Sequence, residues 1–250
     1  MNNKYKLFYE PKGRAGEYAE LALNIYKVCS HGCDYCYVPG ILRITREEFR
    51  TGKIVFAQDF FEKLQDDCYK YRKLKDNRYV LLSFLSDPYQ PAEFHFGITR
   101  KVINIFNDYG INYNILTKNA SIIRDKELIY CRNAKIGMSI SFLNGELRKL
   151  HEPYASIIKD RITALEIFAE RGIYTWVSIE PIFDVDEVIK LIPEIAFVNE
   201  IKVGKLNYNK QIENSIDWKY AYTRIVDTLE KYNCKYYIKN DLRKFGELNA

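Results

Sequence analysis

The sequence lacks several features that define other classes of protein. Its 250 residues contain no run of about 20 consecutive apolar residues, the length that a helix needs to cross a bilayer. Residues 1–10 contain no apolar core of a secretion signal. No stretch is rich in Gly, Pro or Ser, and none is of low complexity. We therefore expect a cytoplasmic protein with reduced thiols, no membrane contact and a single domain.

The composition leaves the partners of the protein open. Hydrophobic residues make up 47% of the chain, which suffices for a packed interior, and the net charge is +5 at pH 7. Because the positive residues are spread along the chain, this charge fits an ordinary solvated surface as well as one that tolerates nucleic acid or another anionic partner. The 21 Tyr and 14 Phe residues fit base stacking and core packing equally.

Strand-like and helix-like segments alternate along most of the chain. The strand-like segments are short apolar runs rich in Ile, Val, Tyr and Phe, which is typical of strands covered on both faces. They comprise residues 22–28, 79–86, 112–117, 135–142, 174–180, 200–204 and 235–238. Repeated strand–helix units imply parallel strands joined by right-handed crossovers.

The alternation predicts an α/β fold, a partial TIM-type (β/α)6 barrel of parallel strands with outer helices. A doubly wound open sheet is the alternative, because alternation alone does not separate the two. We expect an N-terminal extension over residues 1–20 and a core domain over residues 21–250. In either architecture, ligand sites collect at the carboxyl ends of the strands.

Two helix boundaries are predicted from local signals. An apolar stripe over residues 158–169 predicts one helix, with Ser156 as its N-cap and Gly172 just after its end. Asp184 is predicted to begin another helix, where Glu187 completes a pattern that resembles a capping box.

Three cysteines, Cys29, Cys33 and Cys36, lie in one short segment directly after the first predicted strand. Their spacing is C-x3-C-x2-C, within Lys27-Val-Cys-Ser-His-Gly-Cys-Asp-Tyr-Cys-Tyr37. Three close thiols with no fourth nearby in sequence favour a metal centre that is held at three corners and left open at one. An iron–sulfur cluster accounts for all three thiolates.

Two other centres explain this segment less well. A structural zinc site usually needs four ligands, often as paired C-x2-C elements, and a tight loop hardly lets His31 join the same tetrahedron. A redox pair of Cys33 and Cys36 leaves Cys29 without a role. The remaining cysteines are scattered and are interpreted as packed or surface residues: Cys68, Cys131 and Cys234.

The cysteine motif, with an aromatic residue before its last cysteine, resembles that of the radical S-adenosylmethionine (SAM) superfamily. The wider string from Asn24 to Tyr37 is similar to the branch that contains spore photoproduct lyase. Two further segments resemble that branch after its second and fifth strands, namely Leu85-Ser-Asp-Pro-Tyr-Gln-Pro-Ala-Glu93 with Gly97-Ile-Thr-Arg100, and Val177-Ser-Ile-Glu-Pro181. The resemblance spans about residues 20–205, nearly the whole predicted fold.

The resemblance implies a [4Fe–4S] cluster on Cys29, Cys33 and Cys36, with the fourth iron free for the amino and carboxylate groups of SAM. In the family, the reduced cluster cleaves SAM to methionine and a 5′-deoxyadenosyl radical, which takes a hydrogen atom from the substrate. Tyr35 matches an aromatic residue that lies against the adenine. Tyr37 matches a tyrosine of the lyase branch that either relays a radical or forms a wall of the site.

Further SAM contacts are implied after the second predicted strand. Ser86 and Asp87 stand where many members of the superfamily carry a Gly-Gly-Glu element for the methionine amine, which this chain lacks. A hydroxyl and a carboxylate at this place can receive an ammonium group, with Glu93 as the alternative carboxylate. Asp87 precedes Pro88, so turn chemistry explains it equally well.

The ends of the next strands supply the remaining contacts that the resemblance implies. Lys118 is implied to pair with the carboxylate of SAM. Ser139 or Ser141 is implied to reach the ribose hydroxyls, and Ser139 is favoured; period-two alternation puts both on one face of a strand. Glu180, before Pro181, is implied to bind ribose, orient substrate or stabilise the mouth of the barrel.

One departure from the lyase pattern concerns the hydrogen-atom donor. Spore photoproduct lyase uses a cysteine near the end of its second strand, where this chain has Ser83-Phe-Leu-Ser86. Photoproduct repair by the same route is therefore not expected. Tyr37 and Tyr89 are the candidate substitutes, and the catalytic residue stays unassigned.

We interpret the chain as a radical SAM enzyme with an unidentified substrate, for which branch analogy and positive charge favour nucleic acid over peptide. Its electron is expected from an external one-electron donor of the flavodoxin or ferredoxin type. The alternative from another class is a non-catalytic zinc or iron–sulfur protein that serves as a nucleic-acid-binding or sensing module.

The ligand assignment predicts which cysteines the metal centre needs. After anaerobic reconstitution with iron and sulfide, Cys29→Ala, Cys33→Ala and Cys36→Ala should each lose the brown chromophore, because each removes one thiolate ligand. Cys68→Ala, Cys131→Ala and Cys234→Ala are the controls and should keep it. Iron and sulfide analysis with visible absorption measures the effect, and loss of iron in Cys131→Ala would show that the centre is misassigned.

Overall fold

A computed structural model describes residues 4–52, 58–205, 207 and 210–247, and describes the backbone alone at 210 and 211. The predicted extents 1–20 and 21–250 each include terminal residues, 1–3 and 248–250, that lie outside the described residues. No helix in the described ranges is both long and apolar enough to cross a membrane.

Seven parallel strands form one sheet within these ranges, and each strand pairs with the next one along the chain. They are β1 (Leu21–Leu23), β2 (Val80–Leu82), β3 (Tyr113–Thr117), β4 (Ala134–Ser139), β5 (Tyr174–Ile179), β6 (Glu200–Val203) and β7 (Tyr236–Ile238). A doubly wound sheet reverses its strand order at a switch point, whereas a barrel keeps the order of the sequence. The predicted partial barrel is therefore confirmed, with seven strands rather than six.

Helices occupy the connections between the strands. They are α1 (Val38–Leu42), α2 (Arg46–Thr51), α3 (Phe60–Lys73), α4 (Glu93–Phe96), α5 (Ile98–Tyr109), α6 (Gly145–His151), α7 (Ile158–Glu170), α8 (Val185–Glu194), α9 (Lys210–Ser215), α10 (Trp218–Lys231) and α11 (Asn240–Glu247). Two 3-10 helices, Gly13–Glu17 and Ala120–Asp125, complete the described elements. The main hydrophobic core lies between these helices and the outer face of the sheet.

The predicted helix over residues 158–169 is α7, and Gly172 follows its end in the left-handed region with a φ of 71°. The predicted cap was wrong, because the N-cap of α7 is Ile157, which has no side-chain cap. The Ser156 hydroxyl instead accepts a hydrogen bond from the amide of Ala120 and donates one to Asn119, both at 2.9 Å. A contact with a distant loop thus replaces the local cap.

Asp184 caps α8 as predicted, since its carboxylate accepts hydrogen bonds from the amides of Asp186 and Glu187 at 2.8 and 3.2 Å. Glu187 does not complete a capping box. Its carboxylate accepts hydrogen bonds from the amides of Leu143 and Asn144 at 3.0 and 2.8 Å, which ties α8 to the loop after β4.

The first two strands end several residues earlier than predicted, at Leu23 and Leu82. Beyond them, the side chain of Asn24 replaces the strand ladder. Its Oδ1 accepts hydrogen bonds from the amides of Phe84 and Leu85 at 2.9 and 3.1 Å. After both strands, the chain therefore leaves the sheet at its carboxyl edge and forms loops there.

The inner face of the sheet is filled by Trp176, which packs with Ala22 and Leu81. Its indole lies against Gly137, the residue paired with it on the neighbouring strand. A Cβ at Gly137 would lie 2.2 Å from the indole ring, so this strand position accepts no side chain. The indole nitrogen donates a hydrogen bond to Asn114 at 2.7 Å, which satisfies its buried N–H.

The N-terminal segment closes the side of the sheet between β1 and β7. The backbone of Tyr9 forms an antiparallel bridge with Ala22 in β1. The Glu17 carboxylate accepts hydrogen bonds from the Tyr237 hydroxyl at 3.0 Å and from the Asn240 amide at 2.9 Å. Residues before the first strand are therefore tied to the end of the last one.

The contact between Gly137 and Trp176 generates a stability prediction. Gly137→Ala should lower the free energy of unfolding by about 3 kcal/mol, because the indole has to leave its packed position. The control is Gly145→Ala, since a Cβ at Gly145 meets no atom within 4 Å; its stability should change by less than about 1 kcal/mol. Urea denaturation measures both, and equal stabilities of the two variants would contradict the packing argument.

Candidate functional site

The carboxyl ends of the strands surround a cleft of about 580 Å³, a size typical of sites for small molecules and cofactors. All nine residues predicted to hold a metal centre or a cofactor line it: Cys29, Cys33, Tyr35, Cys36, Ser86, Asp87, Lys118, Ser139 and Glu180. These residues follow or end five successive strands, from β1 to β5. The barrel thus brings together groups that lie far apart in sequence.

The cysteine loop is fixed by bonds to its backbone from two sides. The amide of Cys29 donates to the carbonyl of Phe49 in α2 at 3.2 Å. On the other side, the buried amide of Gln90 accepts a hydrogen bond from the Ser30 amide at 2.9 Å and donates one to the Val28 carbonyl at 2.8 Å. A side chain from the loop after β2 therefore sets the path of the cysteine loop.

The loop turns sharply at Gly32, whose φ of 67° lies in the left-handed region. A Cβ there would lie 3.1 Å from the ring of Tyr154, so conformation and space both favour glycine. Further along, one guanidinium nitrogen of Arg46 donates to the carbonyls of Cys33 and Cys36 at 3.2 and 3.1 Å. The backbone between these two cysteines is thereby held in one turn.

The three thiols are largely buried, and burial dominates their pKa values. Burial raises the pKa of the Cys29 thiol to about 12 and also raises the pKa values of Cys33 and Cys36, an effect that the Lys118 ammonium partly opposes at the latter two. Because the thiolate is the form that ligates metals, a cationic centre is what would stabilise three thiolates here. No three His, Cys, Asp or Glu side chains in the described ranges converge closely enough to hold a single metal ion.

Asp87 connects the cysteine loop to the end of β3. One carboxylate oxygen accepts hydrogen bonds from the Thr117 hydroxyl at 2.6 Å and the Tyr89 amide at 2.8 Å. The other oxygen accepts from the Lys118 amide at 2.7 Å and lies 3.1 Å from Nε2 of His31. Burial by itself raises the pKa of Asp87, but His31 and these hydrogen bonds lower it to about 2. The carboxylate is therefore ionised and already engaged with four partners inside the protein.

The two other groups considered for the methionine amine differ in position. Ser86 lines the cleft, and its hydroxyl donates to the Tyr26 carbonyl at 3.0 Å. Glu93 does not line the cleft: its side chain is 1% exposed, pairs with Arg124 and accepts a hydrogen bond from the Thr99 amide at 2.9 Å. The alternative role for Glu93 was wrong, because this buried carboxylate is paired with the partly buried Arg124 and lies outside the cleft.

Tyr35 and Lys118 lie together on one wall of the cleft. The ring of Tyr35 meets Phe183 edge-on, with centroids 5.3 Å apart, and its hydroxyl donates to Glu152. The Lys118 ammonium lies over the ring, 5.8 Å from its centroid. Burial lowers the pKa of Lys118, but the Glu152 carboxylate and other anionic groups raise it more. Among the described residues, no carboxylate lies within ion-pair distance of this ammonium, which leaves a cation facing the cleft.

The two serines considered on β4 do not share a face. Ser139 lines the cleft, whereas Ser141 is 1% exposed and lies outside it. The expectation from alternation was wrong because β4 ends at Ser139. The next residue, Ile140, directs its amide to the Ser178 carbonyl at 3.0 Å, and the chain then leaves the strand.

Glu180 belongs to a polar group on the far side of the cleft. It accepts hydrogen bonds from the Tyr18 hydroxyl and, at 2.7 Å, from the Lys239 ammonium. The Tyr18 hydroxyl also lies 2.7 Å from that of Ser178. Ser178 in β5 stands two residues before Glu180, which follows the end of the strand, and this spacing predicts a shared face. No local sequence pattern predicts that Tyr18 and Lys239 join this group, because both lie far from Glu180 in sequence.

Of the two tyrosines considered as hydrogen donors, Tyr37 faces the cleft, and its hydroxyl donates to the Phe84 carbonyl at 3.3 Å. Tyr89 is fully buried elsewhere, and its hydroxyl donates to Asp125 at 2.9 Å. The structure therefore disfavours Tyr89 as a donor. The remaining cysteines, Cys68, Cys131 and Cys234, do not line the cleft.

No protein-family model matches the chain. It is 31% identical over 176 residues to an uncharacterised protein of Methanocaldococcus jannaschii and 29% identical over 196 residues to an uncharacterised protein of Acidianus two-tailed virus. These matches cover 68% and 73% of this chain, and 65% and 63% of the two relatives. The chain thus spans less than two thirds of the length of the curated relatives it matches.

Solved structures share the fold of the chain. Spore photoproduct lyase complexed with dinucleoside spore photoproduct matches with a TM-score of 0.67 at 14% identity, over 95% of this chain and 80% of that chain. SuiB of Streptococcus suis bound to S-adenosylmethionine matches with a TM-score of 0.63 at 13% identity, over 88% of this chain and 50% of that chain. Both are radical SAM enzymes. The fold that the resemblance implies is thereby confirmed, and at these identities the likeness establishes nothing beyond the fold.

The bonds of Asp87 predict a pH-dependent stability. Asp87→Asn should lower the free energy of unfolding of the cluster-free protein at pH 7 by about 2 kcal/mol, because a pKa of about 2 lies nearly two units below that of an ordinary aspartate. Since the folded-state pKa is the lower one, the wild type keeps this stabilisation above about pH 4 and loses it as the pH falls towards 2.

Urea denaturation between pH 2 and pH 7 measures this effect. The difference between the wild type and Asp87→Asn should shrink as the pH falls. A difference that stays constant over the whole range would mean that the ionised carboxylate does not hold the loop.

Proposed function

We propose that the protein is a radical SAM enzyme, with a [4Fe–4S] cluster on Cys29, Cys33 and Cys36 and SAM bound beside it in the cleft. The observation that carries the proposal is the convergence of the three cysteines and six predicted cofactor residues on one cleft at the carboxyl edge of the sheet. When bound, the cluster and SAM supply reductive cleavage of a sulfonium and abstraction of a hydrogen atom. The fold shared with two radical SAM enzymes supports this class of reaction.

The donor set fits an iron–sulfur cluster better than a single zinc ion. Thiolates suit both, but a lone ion needs its ligands to converge on one point, and no such group of three is present in the described part of the chain. A cubane distributes its ligands over separate irons and so accepts three more widely spaced sulfurs. The fixed turn between Cys33 and Cys36 supports a preformed site.

Lys118 is proposed to pair with the carboxylate of SAM. It is a cation on the wall of the cleft without a carboxylate partner of its own among the described residues, and it lies beside the cysteines. The ring of Tyr35 under its ammonium is proposed as the wall against the adenine. We propose that Ser86 binds the methionine amine of SAM. Asp87 already has four partners inside the protein, and we propose that it holds the cysteine loop rather than SAM.

The ribose is proposed to lie between Ser139 and the polar group around Glu180. The hydrogen bonds from Tyr18 and Lys239 both go to Oε2 of Glu180. Its Oε1 is therefore proposed to accept from a ribose hydroxyl. Ser178 lies beside it on the same wall of the cleft.

Nucleic acid is the proposed substrate class, with peptide next. Besides Lys118, four basic side chains line the cleft: Lys12, Arg14, Lys205 and Lys239. A polyanion is attracted to such a set of cations, although three of them, Arg14, Lys205 and Lys239, already have carboxylate partners. Spore photoproduct lyase is complexed with a dinucleoside and SuiB with the precursor peptide SuiA, so both classes fit this fold. Deuterium transfer into 5′-deoxyadenosine from labelled oligonucleotides or peptides distinguishes them.

Photoproduct repair is not part of the proposal. The stretch Ser83-Phe-Leu-Ser86 lines the cleft and offers hydroxyls where the lyase has a thiol. The electron is proposed to come from an external donor of the flavodoxin or ferredoxin type. A cytoplasmic location is proposed because the three cysteine ligands must stay reduced.

The central experiment is SAM cleavage by the reconstituted protein. Under anaerobic conditions with dithionite, the wild type should convert SAM to 5′-deoxyadenosine and methionine. Lys118→Met should lower this rate at least tenfold and weaken SAM binding, because it removes a charge-assisted contact, and Lys118→Arg should retain more of both. Chromatography of the nucleoside measures the rate.

The matched control is Lys101→Met, since Lys101 is an exposed lysine of α5 that does not line the cleft. It should leave the rate unchanged. A protein that binds zinc and no iron, or a cluster that never cleaves SAM, would support the non-catalytic binding or sensing protein instead.

A further inference from the structure

Glu152 fixes the hydroxyl of Tyr35 from beneath the wall of the cleft. It directly follows α6 and is 1% exposed, and one of its carboxylate oxygens accepts the hydrogen bond from Tyr35. Glu152 does not line the cleft, so it acts on anything bound there through the residues that it holds.

The second oxygen of Glu152 lies 2.6 Å from a guanidinium nitrogen of Arg161 in α7, a side chain with no exposed surface. The other two guanidinium nitrogens donate to carbonyls, to that of Ser139 at 2.8 Å and to that of Ser156 at 2.9 Å. The buried ion pair therefore joins the cysteine loop to the end of β4. Tyr35 and Ser139, two proposed SAM contacts, are held by the same pair.

Stability alone is a weak reason for such a pair. Taking two charges out of water costs about as much as their attraction returns, so apolar side chains of similar size would serve a core equally well. An ion pair with directed hydrogen bonds instead fixes the angles of the groups that it joins. What this pair fixes is the position of an aromatic ring and of a strand end, both of which face the cleft.

The ring of Tyr35 also contacts the edge of Phe183 and has the Lys118 ammonium over its face. Neither contact is strongly directional, so each allows the ring to tilt. The hydrogen bond to Glu152 is the directional restraint among these contacts. Its loss frees the ring to move against the Lys118 ammonium.

We propose that Glu152 and Arg161 are positioning residues of the cleft, which hold the ring of Tyr35 and the end of β4 in the arrangement that binds the adenosine part of SAM. This inference rests on the proposed function. Neither residue touches the ligand, so their replacement should weaken SAM binding without removing the cluster.

The test compares Tyr35→Phe, Glu152→Gln and the double variant in the reconstituted protein. Each single variant should raise the dissociation constant of SAM about tenfold, the size expected for one charge-assisted hydrogen bond. The double variant should be no weaker than Glu152→Gln, because that substitution already removes the bond to Tyr35. Iron per chain should stay at the wild-type value. The controls are Tyr236→Phe and Glu230→Gln, which remove a similar Tyr–Glu hydrogen bond at an exposed position.

A second measurement needs neither cluster nor SAM. With 3-fluorotyrosine in place of tyrosine, the fluorine resonance missing in Tyr35→Phe belongs to Tyr35. Glu152→Gln should shift or broaden this resonance in the cluster-free protein, and Glu230→Gln should leave it unchanged. If Glu152→Gln does not fold, Tyr35→Phe carries the test, since it removes one hydroxyl and no charge.

Three results would overturn the inference. An unchanged SAM affinity in both single variants, with lowered stability in Glu152→Gln, would leave the pair a purely structural role. Additive losses in the double variant would show that Glu152 does not act through Tyr35. A wild type that carries iron and binds no SAM would remove the proposed function as well, and this result is distinct because it appears before any substitution is made.

Discussion

The arrangement of the cleft depends on one buried carboxylate. Asp87 bonds to Thr117 and to the Lys118 amide at the end of β3, and it contacts His31 in the cysteine loop. The loop has little regular structure of its own, so its position relative to the sheet is set by such contacts. With them in place, the three thiols, Tyr35 and Lys118 line the same cleft.

The architecture could be predicted from the sequence because its signals are local and repeated. Apolar runs such as those of β3 and β5 predict buried strands, and the rule that sites lie at the carboxyl ends of strands predicted a common cleft for residues as distant as Cys29 and Glu180. The ends of strands were less predictable. The side chain of Asn24 takes over two backbone amides after β2, and no local pattern announces such a replacement.

The site residues that the sequence did not predict share one property, because each of them contacts a residue that lies far away in sequence. Tyr35 and Glu152 are 117 residues apart, and Tyr18 and Glu180 are 162 residues apart. Glu93 shows the opposite case, in which a residue predicted for the site lies outside it. Its carboxylate is near a strand end in sequence, but it pairs with Arg124 and does not line the cleft. Local chemistry gives the type of a side chain, whereas tertiary contacts decide which partner it meets. Fold likewise leaves the substrate open, because the same barrel is found with a dinucleoside in one enzyme and with a peptide in another.

The bond between Glu17 and Tyr237 also orders events during synthesis. The two residues are separated by 220 positions, so the first leaves the ribosome roughly 10 to 40 s before the second, at the usual 5 to 20 residues per second. Until then β7 is missing, and Glu17 lacks its bonds to Tyr237 and to the Asn240 amide. Because Glu180 also bonds to Lys239, directly after β7, the wall that presents Glu180 to the cleft is completed only once β7 has been made, long after Tyr18.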